Sequence, residues 1–422
     1  MAKILVKGGN SLRGSVRISG AKNSALALIP ASIVIDGEVK LFDVPNVADV
    51  ETMLDLLDFM GANFSFDNNT LTLDTRNIKE PFAPYEFVSK MRASIYVLGP
   101  LLARFKRAKV ALPGGCDFGP RPINFHLEGL RKMGAEISFE HGYILAKTEG
   151  LKGTYISFEK KSVGATIHLM TTAVLAEGET VLDNCAIEPE VVDTARFLKS
   201  CGAKIDGEGT DTIRVVGTGP LKGNLEYRVI PDRIEASTFI IAGLITNGEV
   251  RVENIRAKDV LSVLSKLEEC GAKLEIGENF VLVKPSGRLE AKDVETAPFP
   301  GFPTDVQPQY LSLMSVSRGK AVIREGIYPD RFKHAYELMR LGANIKVGEN
   351  FAVVEGIEKL SGAPVVGKDL RGTAALVLAG LVAEGFTEVE GYEHLVRGYE
   401  NFEEKMRELG AEIEVLNDSS SI

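Results

Sequence analysis

Apolar and polar positions along this chain fall into a pattern that returns six times. A helix-period stretch closing on Gly-Ala appears as Leu57-Asp58-Phe59-Met60-Gly61-Ala62 and again from Leu130 to Ala135, Leu198 to Ala203, Leu267 to Ala272, Leu338 to Ala343 and Met406 to Ala411. The marker glycines stand at 61, 134, 202, 271, 342 and 410, so the steps are 73, 68, 69, 71 and 68 residues. Each marker reads as an amphipathic helix ended by a left-handed glycine, followed by an alternating strand such as Ala135-Glu136-Ile137-Ser138-Phe139. About 24 residues earlier, a second glycine closes a more apolar helix in five of the units, at Gly37, Gly178, Gly248, Gly319 and Gly385. The apolar helices are predicted over Leu26 to Ile35, Ser94 to Arg104, Ala165 to Ala176, Ala236 to Ile245, Tyr310 to Val316 and Ala374 to Val382. The second of these lacks the closing glycine.

A helix apolar nearly all round must be buried. Three such helices, with strands and amphipathic helices outside them, make a self-sufficient domain, and six units make two. The expected fold is therefore α/β, with two domains of three βα repeats each around buried central helices. The boundary is expected near Tyr227-Arg228-Val229-Ile230-Pro231. The pattern alone leaves open which domain the N-terminal strand joins. A scaffold of repeats without chemistry is the first alternative, and unusual polar residues at one end of the repeats would argue against it.

Such residues are present. The apolar helices open on Ser19-Gly20-Ala21-Lys22-Asn23, Lys90-Met91-Arg92, Lys160-Lys161-Ser162-Val163-Gly164, Asp232-Arg233, Thr304-Asp305 and Asp369-Leu370-Arg371. Ser, Thr and Asp fit as N-caps. Lys22, Arg92, Lys161, Arg233 and Arg371 do not, because a cation opposes the positive end of the helix dipole unless an anion is held there. Arg121, Arg331 and Arg397 precede the amphipathic helices, where Glu188 and Glu190 occupy the matching region of the third unit. A cluster of cations within a chain of net charge −9 suits a small substrate with several negative charges, and argues against a nucleic-acid partner.

Length and composition set the remaining bounds. At 422 residues, 45% hydrophobic and 25% charged, the chain reads as an ordinary globular protein of more than one domain. It shows no stretch long enough for a membrane span and no leader, so no membrane association and a cytoplasmic location are expected. The four cysteines form no metal-binding spacing. Cys201 and Cys270 share a repeat position with Met60, Met133, Leu341 and Leu409 and belong to the core, and Cys185 reads as structural too. Cys116 differs. It lies in Pro113-Gly114-Gly115-Cys116-Asp117-Phe118-Gly119-Pro120-Arg121-Pro122, a Gly- and Pro-rich loop with an arginine near the thiol, where it is expected to be exposed and reactive. Of the histidines, His126 lies nearest this loop and is a candidate ligand contact, whereas His168 and His334 lie inside helices and read as structural.

These motifs together resemble the UDP-N-acetylglucosamine enolpyruvyl transferases (1-carboxyvinyltransferases), over essentially the whole length. The likeness rests on Gly20-Ala21-Lys22-Asn23, Pro113-Gly114-Gly115-Cys116, Arg121-Pro122, Ser162-Val163-Gly164-Ala165-Thr166, Glu188-Pro189-Glu190, Pro231-Asp232-Arg233-Ile234-Glu235, Phe302-Pro303-Thr304-Asp305, Asp369-Leu370-Arg371 and Arg397-Gly398-Tyr399-Glu400. The resemblance implies two inside-out, barrel-like α/β domains, 21–229 and 1–20 plus 230–422, with the N-terminal strand in the second and the active site in the cleft between them. It implies transfer of enolpyruvate from phosphoenolpyruvate to the 3′-hydroxyl of UDP-N-acetylglucosamine, a step of peptidoglycan synthesis, with no metal or organic cofactor. By the same resemblance, Asp305 is the base and Cys116 the acid, with Lys22 a possible sharer of the acid role. Lys22, Arg121 and Arg397 hold the phosphate, while Arg92, Arg331 and Arg371 gather charge and Asp369 orients the catalytic groups.

The nucleotide-sugar side is expected to use Asn23, Pro122, Ile123, Asn124, Phe125, His126, Lys160, Ser162, Val163 and Gly164, with Glu188, Glu190, Arg233 and Ile327 as further contacts. Asn124 stands where the family often has an aspartate that contacts the base; an amide can still donate and accept. Asp117 and Phe118 also depart from the common pattern, and Asp117 tends to raise the Cys116 thiol. The nearest alternative is 5-enolpyruvylshikimate-3-phosphate synthase, of the same six-unit architecture, which uses no loop cysteine. Oligomeric state is left open.

Overall fold

The computed structural model describes residues 2–113 and 123–417. Two units are formed, one from residues 20–230 and one from residues 2–19 together with 231–417, within the described residues. Each has its own apolar core. The predicted all-round apolar helices are the centre of these cores. In the first unit they are Lys22–Ala31, Leu98–Phe105 with the 3-10 turn Arg92–Val97 leading into it, and Val163–Ala173. In the second they are Arg233–Ile245, Gln307–Met314 and Leu370–Gly380, which pack on one another. Every residue of Leu370–Gly380 except Leu370 is buried, and at roughly 1.5–3 kcal/mol per buried large aliphatic side chain this packing is a main source of stability.

Outside these helices lie open four-stranded sheets, three to a unit. The third repeat shows the plan. Tyr155–Ser157 runs parallel to Glu179–Asp183, which pairs antiparallel with Thr212–Val216, and this pairs antiparallel with Lys204–Asp206. Three of the six sheets are completed by a strand from elsewhere in the same unit. Leu225–Arg228, the end of the third repeat, lies parallel to Glu38–Phe42 in the first. The N-terminal residues do the same for the second unit: Arg13–Arg17 lies parallel to Glu249–Glu253, and Lys3–Lys7 pairs antiparallel with both Phe386–Glu390 and Glu412–Leu416. This answers the question that the hydrophobic pattern left open.

All six marker glycines have positive φ, between 93° and 108°, a left-handed backbone that strains a residue with a Cβ. The second set of breaks is less uniform. In the second repeat Lys106 takes the left-handed position at φ 60°, and in the fourth Asn247 does so at φ 50°, one residue before the expected Gly248. Gly248 is instead demanded by close approach, since a Cβ there would collide with the Leu12 carbonyl. The central helices also begin earlier than their apolar runs suggested, at Lys22, Val163, Arg233, Gln307 and Leu370. The polar residues at the helix starts therefore lie within or just before the first turn.

Candidate active site

In the second unit the chemistry gathers where the central helices begin. Asp305 lies in the 3-10 turn Thr304–Val306, which leads directly into Gln307–Met314. Its Oδ1 accepts a hydrogen bond from Arg331 Nη1 at 2.7 Å, and its Oδ2 lies 3.7 Å from Arg371 Nη2. Both arginines are buried, with side chains 2% and 3% exposed, whereas the Asp305 side chain is 29% exposed. Arg371 is the second residue of its helix. Asp369 caps that helix, accepting from the N–H of Arg371 at 3.0 Å and of Gly372 at 2.8 Å, so the cap that fixes the helix start also fixes the arginine. The Arg371 guanidinium lies over the Tyr399 ring, 5.0 Å from its centre. The Tyr399 hydroxyl meets Thr238 Oγ1 at 2.8 Å and accepts from Gln309 Nε2 at 3.2 Å, joining the three helices.

Burial alone would lower both arginines, but Asp305 and Asp369 outweigh it at Arg331, and Tyr399, Asp305 and Asp232 outweigh it at Arg371. Both are held above the usual arginine range and stay charged. His334 is pulled down to about 4 by burial, with Asp369 and Arg331 acting on it in opposite senses, so it is neutral near pH 7. Arg397 and Ile327 are half-buried in turns, the first ahead of Phe402–Glu408 and the second after Lys320–Glu325. Arg233, the first residue of its helix, lies over the Phe299 ring at 5.7 Å.

In the first unit Lys22 opens its helix and is 9% exposed; its amine pairs with Asp49 Oδ2 at 2.7 Å. Lys161, another of the helix-start cations, bonds to the Asp211 carboxylate and to the Cys185 carbonyl. The counter-charge inferred at these helix starts is thus partly supplied by the chain's own Asp49, Asp211 and Asp305. Ser162 caps Val163–Ala173 by accepting from the Ala165 N–H at 3.2 Å. Asn23, Asn124 and Lys160 are exposed, Ile123 and Phe125 half-buried, and Phe125 meets Phe158 edge-on at 6.3 Å. Glu188 stands at the N-cap of Pro189–Ser200, and Glu190 is buried in its first turn.

His126 is buried and meets His168, the two Nδ1 atoms being 3.1 Å apart. The Gly99 N–H donates to His168 Nε2 at 2.7 Å, so neutral His168 carries its proton on Nδ1 and gives it to His126 Nδ1. The His126 proton is then on Nε2, the atom nearest Gly164, where a Cβ would lie 3.3 Å from it and 3.4 Å from the Tyr96 hydroxyl. Burial depresses His168 to about 3; burial first, then His168 and Arg92, depress His126 well below 6.5. The pair is a neutral, fixed donor.

The structure thus brings together Asp305, Arg331, Arg371 and Asp369 in one unit, and His126, Gly164 and Arg92 in the other. Cys116, Arg121 and Pro122 lie outside the described residues. Asp49, Tyr399 and His168 were not singled out for the site. Tyr399 stands within the Arg397-Gly398-Tyr399-Glu400 motif, whereas nothing local marks Asp49, which lies on the following helix, Ala48–Met60. Cys185, Cys201 and Cys270 are buried, and burial pushes the first two thiols up to about 12. Among the described residues no group of His, Cys, Asp and Glu is arranged to hold a metal ion, and no helix is long and apolar enough to cross a membrane.

The family model of EPSP synthase (3-phosphoshikimate 1-carboxyvinyltransferase) matches residues 6–406. A relative from Geotalea uraniireducens, named UDP-N-acetylglucosamine 1-carboxyvinyltransferase, is 47% identical over 98% of this chain and 99% of its own. Among solved structures, the enolpyruvyl transferase NikO from Streptomyces tendae superposes with a TM-score of 0.90 at 25% identity, covering 98% of each chain. The EPSP synthase of Acinetobacter baumannii gives 0.77 at 20% identity over 99% of this chain and 100% of its own, a likeness of fold. A six-repeat frame with arginines at its helix starts, matched in sequence and in structure over nearly its whole length, places the chain in the enolpyruvyl (1-carboxyvinyl) transferase family.

Proposed function

We propose that this chain transfers the enolpyruvyl group of phosphoenolpyruvate to the 3′-hydroxyl of UDP-N-acetylglucosamine, with release of phosphate. What carries the reading is Asp305, a partly exposed carboxylate between two buried, charged arginines, in a chain whose relatives bear that activity in their name at 46–49% identity. The donor brings a phosphate and a carboxylate, and Arg331, Arg371, Arg397, Arg92, Lys22 and Arg121 are the cations to hold them.

The reaction needs a base at the sugar hydroxyl as its oxygen adds to C2 of the donor, and an acid at the methylene carbon. Asp305 supplies the base. Its Oδ1 accepts from Arg331 and its Oδ2 lies 3.7 Å from Arg371, and this carboxylate, held by the two arginines, takes the hydroxyl proton. Cys116 supplies the acid, turning the methylene into a methyl group, and the proton traffic reverses as phosphate leaves and that methyl loses a proton to restore the methylene. The fixed Nε2–H of His126, beside Gly164, is a donor for the nucleotide sugar. Buried, unpaired thiols at Cys185, Cys201 and Cys270 fit a cytoplasmic protein.

The test is the choice of acceptor. Phosphate release from phosphoenolpyruvate is expected with UDP-N-acetylglucosamine and not with shikimate 3-phosphate. The reverse preference would reassign the chain to the shikimate branch of the family.

A further inference from the structure

Glu325 belongs to none of the motifs that carry the family likeness, yet it joins the segments that present Asp305. It ends the strand Lys320–Glu325 and is 1% exposed. Its Oε2 accepts from Thr296 Oγ1 at 2.8 Å, from Thr304 Oγ1 at 3.1 Å and from the Tyr328 N–H at 3.2 Å, while its Oε1 accepts from Thr304 Oγ1 at 2.9 Å. The directions of these bonds are fixed by what else the hydroxyls do. Thr296 Oγ1 accepts from the Gly326 N–H at 3.0 Å, and Thr304 Oγ1 accepts from Arg331 Nη1 at 3.1 Å. Each hydroxyl therefore turns its one proton toward Glu325. Every hydrogen bond at this carboxylate is donated to it, the arrangement that suits its ionised form. Burial nevertheless holds Glu325 above the usual carboxylate range, opposed by these bonds and by the Arg331 charge.

Arg331 Nη1 is shared between Thr304 Oγ1 and Asp305 Oδ1, the latter at 2.7 Å. Its position is thus set by the threonine that Glu325 holds. On the other side, the Tyr328 N–H and, through Thr296, the Gly326 N–H are tied to the same carboxylate, with Ile327 between them. We infer that Glu325 is a positioning residue for the transfer reaction, orienting Asp305 through Thr304 and Arg331 and setting the Gly326–Tyr328 turn that carries Ile327.

This rests on the reading of Asp305 as the base, and the experiment separates the two. Glu325→Gln preserves size but removes the charge and turns an amide donor toward two hydroxyl donors. Among the described residues, the charged and titratable groups about Asp305 include Arg331 and Arg371 directly, with Asp369, Asp232, Tyr399, His334 and Glu325 acting on or beside those arginines. Removing the Glu325 charge leaves Arg331 more fully to Asp305, so Asp305 protonates at lower pH.

Steady-state phosphate release by Glu325→Gln is expected to show kcat reduced about 10- to 100-fold, with KM for either substrate changed less than about threefold. The acid limb of kcat/KM is expected to move to lower pH by a few tenths of a unit or more. Thr304→Ser, which keeps the hydroxyl, is expected within about threefold of wild type, and Thr304→Val as low as Glu325→Gln. Asp305→Asn run alongside as near-inactive, with Glu325→Gln like wild type, overturns the positioning role alone. An active Asp305→Asn overturns both readings. A loss in Glu325→Gln that follows its melting temperature, with the acid limb unmoved and Thr304→Ser no better than Thr304→Val, makes Glu325 a structural residue and also overturns the proposal.

Discussion

The buried histidine pair of the first unit makes stability depend on pH in a calculable way. His168 titrates at about 3 in the folded chain because burial disfavours its charged form, whereas an unfolded histidine titrates near 6.5. A lowered folded value means that the unfolded chain takes up the proton first. The stability is therefore present above about pH 6.5 and is lost as pH falls toward the folded value. Between pH 7 and pH 5 the linkage relation gives a loss of about 2 kcal/mol for this one residue, and His126, also depressed by burial, adds in the same direction.

His168→Gln removes the titrating group while offering an amide oxygen to the Gly99 N–H, now bonded to His168 Nε2 at 2.7 Å. Urea denaturation of wild type and variant near pH 7 and pH 5 is the assay, with hydrogen exchange of peptides from Leu98–Phe105 as the local readout. The variant is expected to be less stable near neutrality, because the repacked side chain cannot reproduce both histidine contacts. Its loss on acidification should be smaller than the wild type's by about 2 kcal/mol. Equal acid losses in the two proteins would refute the reasoning, since they would mean that His168 is protonated inside the fold or already neutral outside it.

Two further outcomes follow from the same structure. Lys106 is an exposed residue at φ 60°. Lys106→Gly should raise the urea midpoint by the equivalent of about 0.5–1 kcal/mol, and a lowered midpoint would contradict the strain argument. Glu235 is buried beside Lys405, whose amine donates to it at 2.5 Å and to Ser19 Oγ at 2.7 Å. Burial nevertheless raises Glu235 to about 7. Because the folded value lies above the unfolded one, its contribution is full below about pH 4.5 and lost as pH rises through 7. Glu235→Gln should therefore gain on wild type by up to about 3 kcal/mol between those limits, and parallel stability curves would count against it.

What was legible in the sequence is what depends on near neighbours. All six marker glycines take the left-handed conformation, because the turn after an amphipathic helix strains a residue with a Cβ and so leaves a readable letter. Lys106 and Asn247 take the same left-handed conformation after central helices without that letter, and so escaped. The helix-start cations were legible as exceptions to the dipole rule, and Arg371 does meet Asp305. Their own counter-charges were not legible. Asp49 reaches Lys22 across 27 positions and Asp211 reaches Lys161 across 50, pairings decided by how sheets and helices stack. The His126–His168 pair and the Thr304–Glu325 bonds were hidden for the same reason, as each joins residues on different elements.

The most direct test of the account is to incubate the protein with phosphoenolpyruvate and UDP-N-acetylglucosamine, and to measure the enolpyruvyl sugar nucleotide by mass together with the phosphate released. Wild type should give the two products in equal amounts. Asp305→Asn should still bind the sugar nucleotide but turn over at least about 100-fold more slowly. An Asp305→Asn enzyme that forms product at the wild-type rate would contradict the account at its centre.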